Sequence, residues 1–194
     1  MRLPASAHTA QPWRIHETAQ GFDIEDVWQF HTPGAGPDDF PAFLAALEAE
    51  QAWEHSGISG ILFRIRWKLG EIFGWDDESA GTGARVTSLR TRLPADLKDT
   101  PVPAAVGNPL TGLYVLDNEY AAEIANGTVH SVMHLGWVPD DTGYHLRMAV
   151  LVAPNGRLGR LYMALIKPFR YLIVYPAMTR TWERIWRNLA ATTR

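Results

Sequence analysis

Residues 119–138, EYAAEIANGTVHSVMHLGWV, place two glutamates and two histidines around a single Asn-Gly pair, and the fold turns on how they are read. Asn126-Gly127 is the preferred pair for a two-residue type I′ hairpin, because both positions need positive φ. On that turn Glu123 pairs with His130, Glu119 with His134, Tyr120 with Met133 and Ile124 with Val129. The next run, YHLRMAVLVA (144–153), alternates in the same way, setting His134 beside Arg147 and His145 near Gly136. One sheet face then carries Tyr120, Ile124, Val129, Met133, Leu135, Trp137, Tyr144, Leu146 and Met148. The other carries Glu119, Glu123, Thr128, His130, His134, His145 and Arg147.

An antiparallel sheet ordinarily leaves one face to water, and the Glu/His face is the polar one. It is therefore expected to be solvated, its cross-strand pairs contributing about 0.2–1 kcal/mol each. A catalytic reading stands beside this one. A carboxylate next to an imidazole orients and tunes it, which makes Glu119, Glu123, His130 and His134 acid–base candidates. A shared metal ion is excluded for the histidines, because residues four apart on a strand lie ~13 Å from each other.

Outward from the hairpin, strands are expected over about 112–117, 119–125, 128–138 and 144–153, in meander order. Upstream, FDIEDVWQF (22–30) reads as a strand end or a short helix. GPDDFPAFLAALEAE (36–50) reads as a helix: Asp38 or Asp39 can cap it, Pro41 suits its first turn, and Phe40, Phe43, Leu44 and Leu47 share a face. Residues 56–76 repeat apolar positions at helical spacing and predict a second helix. The proline-rich stretch 93–110 is a long connection, either a lid over a site or a surface crossing. Downstream, a long helix is expected from 157 onward. Its core-facing stripe runs through Leu158, Tyr162, Leu165, Phe169 and Leu172, then Trp182, Ile185, Trp186 and Leu189. Pro168 and Pro176 predict kinks or a break.

Composition bounds the chemistry. At 46% hydrophobic and 20% charged, with eight tryptophans in 194 residues, the chain is globular and is read as one domain over 1–194. With no cysteine, thiolate nucleophiles, disulfides and cysteine-ligated metals are excluded. Neither a Walker A pattern nor G-x-S-x-G occurs, and GTGAR (81–85) lacks the setting of a nucleotide fingerprint. The sequence assigns no partners to His8, His16 and His31. No metal or cofactor is expected. No apolar leader opens the chain and no run approaches the ~20 residues of a membrane span, so the expectation is a cytoplasmic protein without stable membrane insertion.

The net charge of −3 conceals an asymmetry. Residues 157–194 hold eight Lys/Arg against Glu183 alone, giving +7, which leaves −10 for the rest. A basic tail can serve nucleic acid or an anionic membrane, or simply complement an acidic body. No nucleic-acid motif accompanies it, so the last reading is preferred and no nucleic-acid partner is expected.

The segments PWRIHE, DVWQFHTPG, RWKLGEIFGWD, YAAEIANGTVHSVMHLGWV and LGRLYMALIKPFRYLIVYPAMTRTWERIW together resemble the domain-of-unknown-function family 2867 over nearly the whole chain. That family in turn resembles the START-like (SRPBCC) superfamily of lipid carriers, hormone receptors and polyketide cyclases. The resemblance implies a hydrophobic cavity between sheet and C-terminal helix, and it brings no catalytic residues with it. The expected fold is thus α+β helix-grip (START-like): a curved antiparallel sheet wrapped around a long C-terminal α-helix, with two shorter helices early in the chain. The expected function is binding of a small apolar or aromatic molecule by Tyr120, Met133, Trp137, Tyr144, Met148, Tyr162, Leu165 and Phe169. The alternatives are a polyketide cyclase- or dehydratase-like enzyme using a Glu–His pair, and an interaction or membrane-surface module using the basic helix.

Overall fold

The computed structural model describes residues 1–50, 86–100, 110–125, 129–154 and 156–192. The helix expected over 56–76, the Asn126-Gly127 turn and residues 101–109 of the proline-rich stretch lie outside the described residues. Within them the protein is α+β. Six antiparallel strands form one sheet: β1 (Arg2–Leu3), β2 (Asp23–Phe30), β3 (Thr111–Val115), β4 (Glu119–Ala125), β5 (Val129–Asp140) and β6 (Gly143–Pro154), in spatial order β1-β2-β6-β5-β4-β3. The stretch 22–30, open between strand and helix in the sequence, is the strand that closes against β6.

Helix α3 (Phe40–Ala49) forms where Pro41 stands at its start, and it buries Phe40, Phe43, Leu44 and Leu47, the four residues its spacing predicts. Short helices α1 (Ser6–Thr9) and α2 (Ile15–Thr18) precede β2. A 3-10 turn (Leu89–Arg92) and a helical turn, α4 (Ala95–Lys98), precede β3.

The long C-terminal helix is continuous but not uniform. It runs as α5 (Gly156–Phe169), one π-helical turn (Arg170–Val174) and α6 (Tyr175–Thr192). The prolines expected to break it lie on either side of that turn. Pro176 has no N–H for the carbonyl of Leu172, and the backbone widens so that the Tyr175 N–H bonds Arg170 instead. The added residue preserves the inward face across the join. Met163 and Ile166 before it, and Val174, Met178, Trp182, Ile185 and Trp186 after it, are all buried.

Strand pairing departs from the two-residue-turn register by two positions. Glu123 pairs with Val132, His130 with Ala125, Glu119 with Gly136 and Tyr120 with Leu135. Across the next pair, Gly136 opposes Arg147, His134 opposes Ala149 and Val138 opposes His145. A slip of one residue would have reversed the faces, whereas a slip of two keeps them. The face assignments from the sequence therefore hold although the individual partners do not.

Both faces of the sheet are buried, which corrects the expectation of a solvated Glu/His face. One face packs Tyr120, Met133, Leu135, Trp137, Leu146 and Met148 against α3 and α6. The other packs Leu113, Tyr114, Ala121, Val132, Ala149 and Leu151 beneath Trp13, Ile15, Leu89, Leu93 and Leu97. The described start of the proline-rich stretch thus covers the Glu/His face, not the apolar face that meets the C-terminal helix. At about 1.5–3 kcal/mol for each fully buried large aliphatic side chain, this second cover is a substantial hydrophobic layer.

Candidate functional site

Strand β4 carries Glu119 and Glu123 on the covered face, and β5 brings His134 and His130 up to them. Glu119, His134 and Glu123 are fully enclosed, and His130 nearly so. His130 Nε2 lies 2.7 Å from Glu123 Oε2, reaching diagonally across the two-residue slip. His134 Nε2 lies 3.0 Å from Glu119 Oε1, at ion-pair distance but outside hydrogen-bond alignment. The sequence paired the right residues by face and proximity, through the wrong register.

Each carboxylate also receives donors from a covering segment. Glu119 accepts the backbone N–H of Arg14 at 3.0 Å and of Ile15 at 2.9 Å, together with the Tyr114 hydroxyl. These amides open α2, so the carboxylate sits where the exposed N–H groups of a helix start favour negative charge. Glu123 accepts the Ser88 hydroxyl and the Leu89 N–H at 3.1 Å, while Ser88 Oγ caps the same 3-10 turn by accepting from Arg90 N. The Ser88 hydroxyl bonds the carboxylate and not the imidazole, so no Ser–His nucleophile is formed.

Burial on its own pushes both carboxyls upward. For Glu119 the neighbouring His134 ring, the Tyr114 hydroxyl and the Arg14 N–H outweigh it and hold the group below the usual carboxylate range. For Glu123, His130, Ser88 and the Leu89 N–H do the same. A general base needs a lone pair facing its substrate. Here all four carboxylate oxygens are engaged by the chain's own donors, and the pairs lie on the face away from the C-terminal helix. The geometry is that of two clasps fastening cover to sheet.

The Glu119 clasp continues into a row of histidines that the sequence left without partners. His8 Nε2 stands 3.0 Å from His134 Nδ1, and His16 Nε2 stands 3.1 Å from His8 Nδ1. A neutral imidazole donates one hydrogen bond and accepts one, so His8, with a ring nitrogen towards each neighbour, makes both contacts when uncharged. Burial lowers His8 to about 3, reinforced by His134 and His16, and burial also lowers His16. Trp13 lies against His134 at 5.2 Å and over Gly136, where an added Cβ would meet the indole at 2.6 Å. Only glycine leaves room for that ring. Among the described residues no group of three His, Asp or Glu is arranged to hold a metal ion.

On the helix-facing side, Tyr120, Met133, Trp137 and Met148 are buried in the apolar layer, and the half-buried Tyr144 packs at its edge. Two other expected lining residues are misplaced: Leu165 and Phe169 point outward, at 38% and 43% exposure. The side chain of Tyr162 lies outside the described set. Trp137 is the centre of the layer, with Phe40, Phe43, Tyr144 and Trp186 rings within 5.8–6.3 Å.

Two indole donors in or against this layer are unspent. Nε1 of Trp182 and Nε1 of Trp28 are buried without a hydrogen-bond acceptor among the described residues. Trp182 stacks at 4.7 Å on Phe30, and Trp28 at 4.7 Å on Tyr175. Trp28 pairs with Met148 and so shares its face.

Beside Trp28 lies a polar anchor not anticipated from the sequence. Asp26, buried at a β2 bulge, accepts hydrogen bonds from the Tyr171 hydroxyl and from that of Tyr175 at 2.6 Å. Arg170 reaches Glu25 at 2.7 Å and Asp26 at 3.3 Å. Burial and then the bond to Asp26 push Tyr171 up to about 12, and burial and the Asp26 charge raise Tyr175 well above its ordinary value. All three partners of Asp26 come from the π turn or the residue after it, which docks the helix to the sheet. A cleft of about 470 Å³ opens beside this anchor, along residues 2–5 and 24–27. Tyr171 and Tyr175, spaced i and i+4 on a helix, were the available signal for a shared acceptor.

Among the described residues no helix is long and apolar enough to cross a membrane. No curated protein and no solved structure matches the chain. A family model does match, over residues 18–177: Protein of unknown function (DUF2867). That span takes in the β2–β6 sheet, both clasping glutamates, the π turn and the Asp26 anchor, and the chain belongs to this family.

Proposed function

We propose that the protein binds a small apolar or aromatic molecule carrying a hydrogen-bond acceptor, held between the apolar face of the sheet and the helices. The observation that carries this reading is the pair of unspent indole donors, Trp28 Nε1 and Trp182 Nε1. Buried polar groups are ordinarily satisfied, and ligand sites are mostly apolar with a few convergent polar groups. A carbonyl or hydroxyl oxygen entering this layer would meet a waiting donor. Met133, Met148 and Met178 adjoin the rings, and methionine repacks around a guest more readily than branched side chains do. The architecture supports a helix-grip, START-like assignment, with the first long strand closing on the last and a C-terminal helix across the apolar face.

The test is a ligand panel read by thermal unfolding, since a guest that binds only the folded state raises Tm with its concentration. Aromatic ketones, fatty acids and matched hydrocarbons form the panel. Ketones or acids should stabilise more than hydrocarbons, and Trp182→Phe should reduce their advantage while leaving hydrocarbon binding in place. No stabilisation by any member would overturn the reading. An unchanged ranking in the Trp182→Phe and Trp28→Phe variants would remove the donors from it.

A further inference from the structure

The outer face of the C-terminal helix is apolar along its first half and cationic along its second. Leu161, Leu165, Phe169, Leu172 and Ile173 are 47%, 38%, 43%, 78% and 39% exposed. These five are most of the exposed large hydrophobic side chains in the described residues, and they are gathered on a single helix segment. The sequence had assigned Leu165, Phe169 and Leu172 to the core. Farther along, Arg180, Arg184 and Arg187 are also exposed.

The two halves are aligned by the π turn. A helix advances ~100° per residue, and a π turn absorbs about one residue. On that count Leu161, Leu165 and Leu172 share one outward sector with Arg180, Arg184 and Arg187. The opposite sector is the buried one, holding Met163, Ile166, Val174, Met178 and Trp182. Without the added residue the arginines would turn away from the leucines.

We propose that this stripe is a docking surface for an anionic phospholipid bilayer, with the helix lying in the plane of the interface. Exposed leucine and phenylalanine on one side of a basic helix suit the headgroup–acyl boundary. The charge selects the occupant: residues 157–194 carry +7, against −10 for the remainder. An anionic surface attracts this end and repels the rest, which orients the molecule on contact. A second copy of the chain fits poorly, since a parallel pairing sets arginine against arginine and an antiparallel one sets arginine against leucine. Docking requires no helix that crosses the membrane, and it is independent of whether the apolar layer binds a guest.

The test is co-sedimentation of the full chain with vesicles of mixed phosphatidylglycerol and phosphatidylcholine, against phosphatidylcholine alone. Binding should need the anionic lipid and weaken as salt is raised. Replacing Arg180, Arg184 and Arg187 together by Gln should reduce affinity about a hundredfold. Leu172→Ser, at the most exposed position, should reduce it about tenfold with the circular dichroism spectrum unchanged. Equal binding to neutral vesicles, or no binding by a monomer, overturns the proposal. A dimer that dissociates on Leu165→Ser or Leu172→Ser and ignores vesicles overturns it in favour of self-association.

Discussion

The two faces of the sheet are buried alike but by different means. Beneath α3 and α6 the burial is mainly apolar, filled by rings and methionines that meet at many angles, with few directed bonds, such as those of Tyr175 to Asp26 and of Trp137 to the Gly36 carbonyl. Beneath the N-terminal segment and residues 88–98, hydrophobic cover is combined with directed bonds to two enclosed carboxylates. Apolar packing tolerates exchange among side chains of similar volume, whereas a buried anion with three donors tolerates almost none. The first face is thus the one on which ligand-adapting substitutions can accumulate. The second fixes where the covering segments lie.

The largest expected effect tests the directed face. Glu119→Ala strands the amides of Arg14 and Ile15 and the Tyr114 hydroxyl, and it should cost about 3–5 kcal/mol in urea unfolding. A loss under about 1 kcal/mol would reduce the clasp to an ordinary surface pair.

An intermediate effect comes from acid. The folded protein holds His8 neutral down to about 3, whereas the unfolded chain protonates it near 6.5. Between those values the unfolded state carries the extra proton, so this stability is whole above 6.5 and drains as pH falls. The slope is about 1.4 kcal/mol per pH unit for each proton. Glu119 and Glu123, depressed below 4.5, add their loss only at lower pH. Thermal unfolding from neutral to mildly acidic pH, with His8→Asn as reference, should show a steeper early slope in the parent chain than in the variant, which keeps only the share of His16. A decline that begins only in the carboxylate range would sink the neutral-histidine row.

The smallest effect belongs to the apolar face. Met133→Leu nearly conserves volume at an apolar side chain of this layer, and it should cost under about 1.5 kcal/mol. A larger loss, matched by no change in ligand response, would mean that this layer is as tightly specified as the other.

What was legible in the sequence follows from the same contrast. Alternation over 119–125, 129–140 and 143–154 assigned side chains to faces, because period two survives any even slip. The partners themselves were misassigned, since Asn-Gly is a preference for one turn and does not bind the register, which runs two positions away from it. The cover over the Glu/His face was invisible: it is built from two four-residue helices, a 3-10 turn and α4, all too short for a periodicity. Of the inward residues of α6, Trp182, Ile185 and Trp186 were found and Tyr175 and Met178 were not, and those of α5 were missed. The α5 segment is apolar on both sides, and the stronger-looking stripe through Leu165 and Phe169 is the outer one.

The clasp at Glu119 also bears on how the protein is made. Its partners Arg14 and Ile15 lie 105 and 104 residues upstream, and His8 is 126 residues from His134. A ribosome adding about 5–20 residues per second needs on the order of 5–20 s to cover that separation. For that interval residues 8–15 wait for the strands that hold them, while Arg2 and Leu3 can already pair with β2. Trp13 and Ile15 keep an incomplete cover until β4 and β5 arrive.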